Sequence, residues 1–154
     1  MESAQLPRTD KLERTDKKMS KKQTRSEARE CAFMLVFSYS MNPEDPEFLV
    51  SELLNIYPEA IDNLDYIKRT FLGVFKNKEI IDAKIEAVLP ENRGFTRLSK
   101  VVIAILRIAV FEIFFCDDIP DKVAANEAVE IAKKYAEDEA PAFVNGVISG
   151  VMPE

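Results

Sequence analysis

Residues 101–116 read VVIAILRIAVFEIFFC, and this stretch decides the fold. Its apolar residues cover most sides of a helix, which is typical of a helix buried at the centre of a domain. Arg107 and Glu112 interrupt the stretch, and it is shorter than the roughly 20 residues that a membrane-spanning helix needs. We therefore expect a central core helix that is opened by Thr96 or Ser99 and runs to the end of this stretch.

The first helix of the chain is marked by a capping box. Thr24 and Glu27 have the T-x-x-E spacing in which each side chain accepts a hydrogen bond from the other residue's backbone N–H, so the helix should begin at Thr24. Residues 28–39 carry an apolar stripe with helical spacing, and Arg25 and Arg29 form an i, i+4 pair beside it. One side of this helix can therefore pack in the core while another binds an anion.

Five more helices are predicted around these two. Asp45 and Pro46 suit the first positions of a helix, whereas Asn63, Asn77 and Asp121 are suitable caps for three others. Short links join the helices, and no strand–helix–strand alternation occurs, so we expect an all-α fold of about seven helices. The five additional helices should span about 46–57, 64–75, 77–89, 121–135 and 141–151.

Length and composition favour one domain with an extension. The chain has 154 residues, enough for one core, and its four glycines supply little of the turn chemistry that many short strands need. Residues 1–19 alternate in charge without apolar periodicity, so we expect a flexible N-terminal extension. Met19 also suits a start position, which would make the first 18 residues an addition. The helical domain then comprises residues 20–154.

Charge is divided unevenly along the sequence. Residues 1–30 contain nine Lys and Arg against six Asp and Glu, or +3, which leaves −9 for the remainder of a chain with a net charge of −6. Between Lys17 and Arg29 there are six cations and one acidic residue, Glu27. A local basic run on an acidic protein indicates a polyanion contact at one end, and a merely solvated arm is the alternative.

The sequence lacks the residues and motifs that several classes of enzyme and of metal-binding protein need. There is no histidine, so Ser-His and Cys-His nucleophiles are excluded, and no phosphate-binding glycine loop or calcium loop occurs. Cys31 and Cys116 lie in apolar helical patterns and are expected to be reduced core residues. We therefore predict a protein that is not an enzyme and has no cofactor, no metal and no membrane contact. No secretory signal is evident, so a cytoplasmic location is expected.

Three segments, in this order, resemble the NusB family. They are RSEARECA at 25–32, the paired blocks AILRIAVFE at 104–112 and VAANEAVEIAK at 123–133, and FVNGVI at 143–148. The long middle segment is the most specific of the three. The resemblance implies an all-α fold of seven helices in two small bundles, which agrees with the helix count reached from the sequence pattern.

The resemblance also implies a function and partners. Proteins of the NusB family bind the boxA element of nascent RNA together with the ribosomal protein NusE, promote antitermination on ribosomal RNA operons and act within the RNA polymerase antitermination complex. For this chain the implied function is therefore RNA-binding transcription antitermination. Four cations suit phosphate, because Arg offers a bidentate fork and Lys a mobile charge, and these are Lys21, Lys22, Arg25 and Arg29.

A second RNA contact is predicted near the C-terminus. Phe143 and Asn145 offer an aromatic plane and an amide, which are used together to stack on and read unpaired bases. Phe143 also falls on an apolar stripe, so packing in the core is the alternative for this side chain. The residue before the motif is Ala142, where the family often has Lys, which removes one expected phosphate contact.

The partner surface departs from the family pattern. Ahead of residues 104–107 the family usually has an acidic and then a basic residue, whereas this chain has Val102 and Ile103. We therefore expect a more apolar contact with NusE at these two positions. The alternative is a helical protein–protein adaptor, or a homodimer, that does not bind RNA directly. In that case the exposed apolar surface around Val102 would bind the partner or a second copy of the chain.

Overall fold

The computed structural model describes residues 22–153 of the chain and is helical within them. No strand occurs among these residues. The expected extension of residues 1–19 and the predicted phosphate ligand Lys21 lie outside the described range. The described part contains seven α-helices, which are α1 (Arg25–Met41), α2 (Pro46–Ile56), α3 (Leu64–Lys76), α4 (Lys78–Glu86), α5 (Lys100–Phe115), α6 (Asp121–Tyr135) and α7 (Ala140–Val151).

The chain divides into two compact units, with the boundary between Phe71 and Leu72 inside α3. This division agrees with the expected pair of small bundles. The first unit holds α1, α2 and the beginning of α3, and the second holds the rest of α3 and α4 to α7. Each unit has its own buried apolar residues.

In the first unit, α1 begins as the sequence predicts. The hydroxyl of Thr24 accepts a hydrogen bond from the backbone N–H of Glu27, and the Glu27 carboxylate accepts one from the backbone N–H of Thr24, so the capping box is complete. Residues 31–36 are all buried, and α1 packs against α2 and the short 3₁₀ helix Pro58–Asn63. The start of α2 is also as predicted, with Asp45 as its cap and Pro46 as its first residue.

In the second unit, α5 is the central helix. Every residue from Val102 to Ile113 is buried, and α5 packs against α4, α6 and α7. The hydroxyl of Ser99 accepts a hydrogen bond from the backbone N–H of Val102, which makes Ser99 the cap of α5. Of the two residues that the sequence offered for this position, Ser99 caps the helix, and Thr96 lies in the 3₁₀ helix Phe95–Arg97 just before it.

Three helix starts differ from the sequence prediction. Asn63 ends the 3₁₀ helix, and its amide donates to Gln23 instead of capping α3. Asn77 precedes α4 but makes no side-chain cap, because its amide donates to the carbonyl of Gly73. Asp121 is the first residue of α6 and Pro120 occupies the cap position. Each helix begins within one residue of the predicted start, and at Asn63 and Asn77 a neighbouring hydrogen bond takes the side chain that was expected to cap it.

Between residues 22 and 153, no helix is both long enough and apolar enough to cross a membrane.

Candidate nucleic-acid interface

Two exposed cations stand at the entrance to α1. Lys22 lies two residues before the capping residue Thr24, and Arg25 is the first residue of the helix. Both side chains are exposed. They lie at the positive end of the α1 dipole, which adds to the attraction for an anion. These are the two predicted phosphate ligands that the structure places at the surface.

Gln23 fixes the backbone between the two cations. Its N–H donates to the Oδ2 atom of Asp62 at 3.0 Å. The Nδ2 atom of Asn63 donates to the carbonyl and to the Oε1 atom of Gln23, both at 3.1 Å, and the Gln23 amide in turn donates to the Sγ atom of Cys31. Gln23 is itself buried, so these hydrogen bonds fix the backbone at this residue, directly ahead of the cap of α1.

Three guanidinium groups surround the ring of Tyr66. The Cζ atom of Arg25 lies 4.3 Å from the ring centroid, that of Arg29 lies 5.5 Å away and that of Arg69 lies 5.9 Å away. All three distances are within the roughly 6 Å over which a cation is attracted to an aromatic face. The first two arginines come from α1, and Tyr66 and Arg69 come from α3. We call these four residues the Tyr66 cluster.

Arg29 does not share the exposure of Arg25. Only 3% of its surface is accessible, although the sequence placed both residues on one anion-binding face. The face of α1 beside the apolar stripe is covered by Tyr66, and Arg29 turns toward that ring. Its guanidinium is therefore not at the surface of the described structure. A direct contact between Arg29 and RNA remains a prediction.

Tyr66 and Arg69 were not singled out from the sequence. Tyr66 lies next to Ile67 and two residues after Leu64, so the sequence pattern alone does not distinguish it from a core aromatic. Arg69 lies three residues after Tyr66, on the same face of α3, and that spacing is the one available signal. About forty residues separate both of them from Arg25, so the fold alone brings them together.

In the second unit, Phe143 lies in a cleft rather than in the core. Its side chain is half-buried, and the Cζ atom of Arg93 lies 4.7 Å from its ring centroid. The cleft has a volume of about 340 Å³ and is also lined by Arg97 and Val102, with Glu137 and Glu139 contributing acidic groups. An aromatic face beside two arginines suits an unpaired base or a planar side chain.

Asn145 lies on another side of the same helix. Residues two apart on an α-helix point in nearly opposite directions, so Phe143 and Asn145 cannot hold one base between them. Asn145 is exposed, and its neighbours on that side, Ala142 and Gly146, are exposed and small. The ring and the amide therefore face different directions, and each residue separately remains a predicted RNA contact.

Val102 and Ile103 do not form an exposed apolar surface. Each is only 8% accessible, although Lys100 at the start of the same helix is exposed. Val102 lines the cleft beside Phe143. The expectation of a protruding apolar patch is therefore wrong, and a contact between these residues and a partner protein remains a prediction.

Across the described residues, no group of three or more His, Cys, Asp or Glu side chains is arranged to hold a metal ion. Cys31 and Cys116 are both buried, and neither is in a disulfide.

The sequence of this chain is similar to those of known proteins of the NusB family. The model of the NusB family matches residues 26–153. The transcription antitermination protein NusB of Clostridium novyi is 46% identical over 134 residues, which cover 83% of this chain and 97% of that protein. NusB of Clostridium acetobutylicum is also 46% identical, over 132 residues that cover 83% of this chain and 94% of that protein.

Solved structures are similar in fold as well as in sequence. A crystal form of NusB from T. maritima superposes with a TM-score of 0.73 at 32% identity, covering 84% of this chain and 91% of that one. A crystal structure of the antitermination factors NusB and NusE in complex with double-stranded RNA contains a chain with a TM-score of 0.73 at 29% identity. That match covers 82% of this chain and 94% of the other.

Proposed function

The chain belongs to the NusB family, and we propose that it is a transcription antitermination factor that binds RNA together with the ribosomal protein NusE. A related chain has been crystallised with NusE and RNA, which supports both partners. The proposal treats this chain as a binding factor and not as an enzyme.

One observation carries the assignment of the RNA site: the exposed guanidinium of Arg25 rests on the ring of Tyr66 at the start of α1. Lys22 stands beside it, and the charged groups of Arg29 and Arg69 lie within 6 Å of the same ring. On a chain with a net charge of −6, this concentration of positive charge attracts a polyanion to one place.

We propose further that the preferred RNA is single-stranded and boxA-like, in nascent transcripts of ribosomal RNA operons. The half-buried ring of Phe143 and the exposed amide of Asn145 are suited to unpaired bases, because in a duplex the bases are stacked on one another. Residues 22 and 25 would then bind phosphates. The factor would act in the RNA polymerase antitermination complex and, accordingly, in the cytoplasm.

For NusE we propose a contact at the first turn of α5. Val102 is largely buried and lines the cleft, so the partner would insert a side chain there rather than cover a flat apolar patch. The cleft wall carries charges of both signs, Arg93 and Arg97 with Glu137 and Glu139, which suits a segment that presents polar or charged groups around the inserted side chain.

The test is a titration of fluorescently labelled boxA-like RNA with the chain, with NusE, and with both together. The proposal predicts tighter binding by the mixture than by either protein, and tighter binding of the single strand than of its duplex. Equal affinity for single strand and duplex would reject the strand preference. NusE binding without RNA binding would reject the RNA assignment and favour a protein adaptor. Light scattering on the chain alone distinguishes a monomer from the homodimer of the alternative function.

A further inference from the structure

We propose that Tyr66 is the positioning residue for Arg25, holding its guanidinium where it can receive an RNA phosphate. This inference rests on the proposed function, since it assigns a role within the same RNA site. Tyr66 itself is only 5% exposed, so it would act through Arg25 and not by touching RNA.

The contact between the two residues leaves Arg25 able to bind. Its Cζ atom lies 4.3 Å from the ring centroid, well inside the range of a cation–π interaction. Among residues 22–153 the side chain of Arg25 has no ion pair and no hydrogen-bond acceptor. Within the described residues no acceptor therefore competes for its N–H donors, which suit the oxygens of a phosphate.

The backbones at the two ends of this contact are tied together. Gln23, two residues before Arg25, donates through its N–H to Asp62 and accepts two hydrogen bonds from Asn63, three residues before Tyr66. The first turns of α1 and α3 therefore keep a fixed spacing. The ring of Tyr66 is buried between these tied segments, and the guanidinium of Arg25 lies over it.

Holding an arginine in advance increases its affinity for phosphate. A free arginine side chain has many rotamers, and binding a ligand removes that freedom at a cost in entropy. In this chain the Tyr66 ring has already restricted the side chain before RNA arrives. Arg29 and Arg69 add positive charge around the same ring, and both also have other partners.

The test is a double-mutant cycle on RNA affinity, measured with NusE present. Tyr66→Phe keeps the ring and should retain affinity within about two-fold, whereas Tyr66→Leu removes the ring and should weaken binding about three-fold. In an Arg25→Ala background, Tyr66→Leu should have no additional effect, because there is no guanidinium left to position. Equal weakening in both backgrounds would mean a purely structural role and would overturn the inference.

Other outcomes separate this inference from the proposed function. If Arg25→Ala leaves RNA affinity unchanged, the proposed RNA site itself is wrong. If Arg25→Ala weakens binding but Tyr66→Leu does not, only the positioning role is wrong. NusE binding in the absence of RNA serves as the control that each variant is folded.

If Tyr66→Leu does not fold, the contact can be tested by NMR spectroscopy on the protein with both side chains intact. The Nε–H resonance of Arg25, assigned by its loss in Arg25→Lys, should be shifted upfield by the ring and should show restricted motion. A resonance at the position of a freely rotating arginine would overturn the inference.

Discussion

Arg107 and Asp82 form a two-point ion pair in the second unit, with Nε to Oδ1 and Nη2 to Oδ2 both at 2.9 Å. Arg107 interrupts the most apolar helix of the chain and is 6% exposed, so its charge requires a partner. The carboxylate of Asp82, one residue after the buried Ile81 on α4, supplies one. The pair joins α4 to α5, and Lys78 approaches the same carboxylate at 3.4 Å.

Removing the carboxylate should destabilise the protein strongly. Asp82→Ala leaves a largely buried guanidinium without this partner, and we expect the free energy of unfolding to fall by about 3 kcal/mol. Urea denaturation measures the change. Glu86→Ala, an exposed acidic residue on the same helix, is the matched control and should alter stability by less than about 0.5 kcal/mol. Equal effects of the two substitutions would contradict the role given to the pair.

The capping box at the start of α1 should contribute measurably to stability. Thr24→Ala removes the oxygen that accepts the backbone N–H of Glu27, so we expect a loss of about 1 kcal/mol in the free energy of unfolding. Thr24→Ser keeps that oxygen and should remain close to the parent. Thermal unfolding followed by circular dichroism compares them, and a Ser variant as unstable as the Ala variant would refute the capping role.

Two helical glycines should respond in opposite directions to alanine. A Cβ atom on Gly73 would lie 2.3 Å from the Cζ atom of Phe111, whose ring stacks on Phe115, so Gly73→Ala should destabilise by about 1–3 kcal/mol. At Gly146 nothing lies within 4 Å, and the helix preference of alanine should stabilise by roughly 0.5–1 kcal/mol. Changes of the same sign in urea denaturation would contradict this packing.

The local features of the fold were predictable from the sequence. The capping box of Thr24, the Asp45-Pro46 start of α2 and the apolar run of α5 each depend on neighbours a few residues away, and all were confirmed. The family resemblance was confirmed as well, together with the seven α-helices of the described residues.

Features that depend on distant residues were not predictable. Arg107 visibly interrupts the apolar run of α5, but the pattern does not show that Asp82, twenty-five positions away, forms the two-point pair with it. Likewise, Arg29 is buried near Tyr66, a residue of another helix, and its own helix gives no sign of this. Periodicity indicates which face of a helix is apolar, but it does not show which cation at the edge of that face a neighbour will cover.

The most direct test of the account is the salt dependence of RNA affinity for Arg25→Ala, measured on single-stranded boxA-like RNA with NusE present. If Arg25 binds a phosphate, the variant should bind more weakly, and the slope of log K against log salt should be shallower by about 0.7. Lys122→Ala, an exposed cation on α6, should leave both quantities unchanged. An Arg25→Ala variant with the parent's affinity and slope would contradict the assignment of the RNA site to the start of α1.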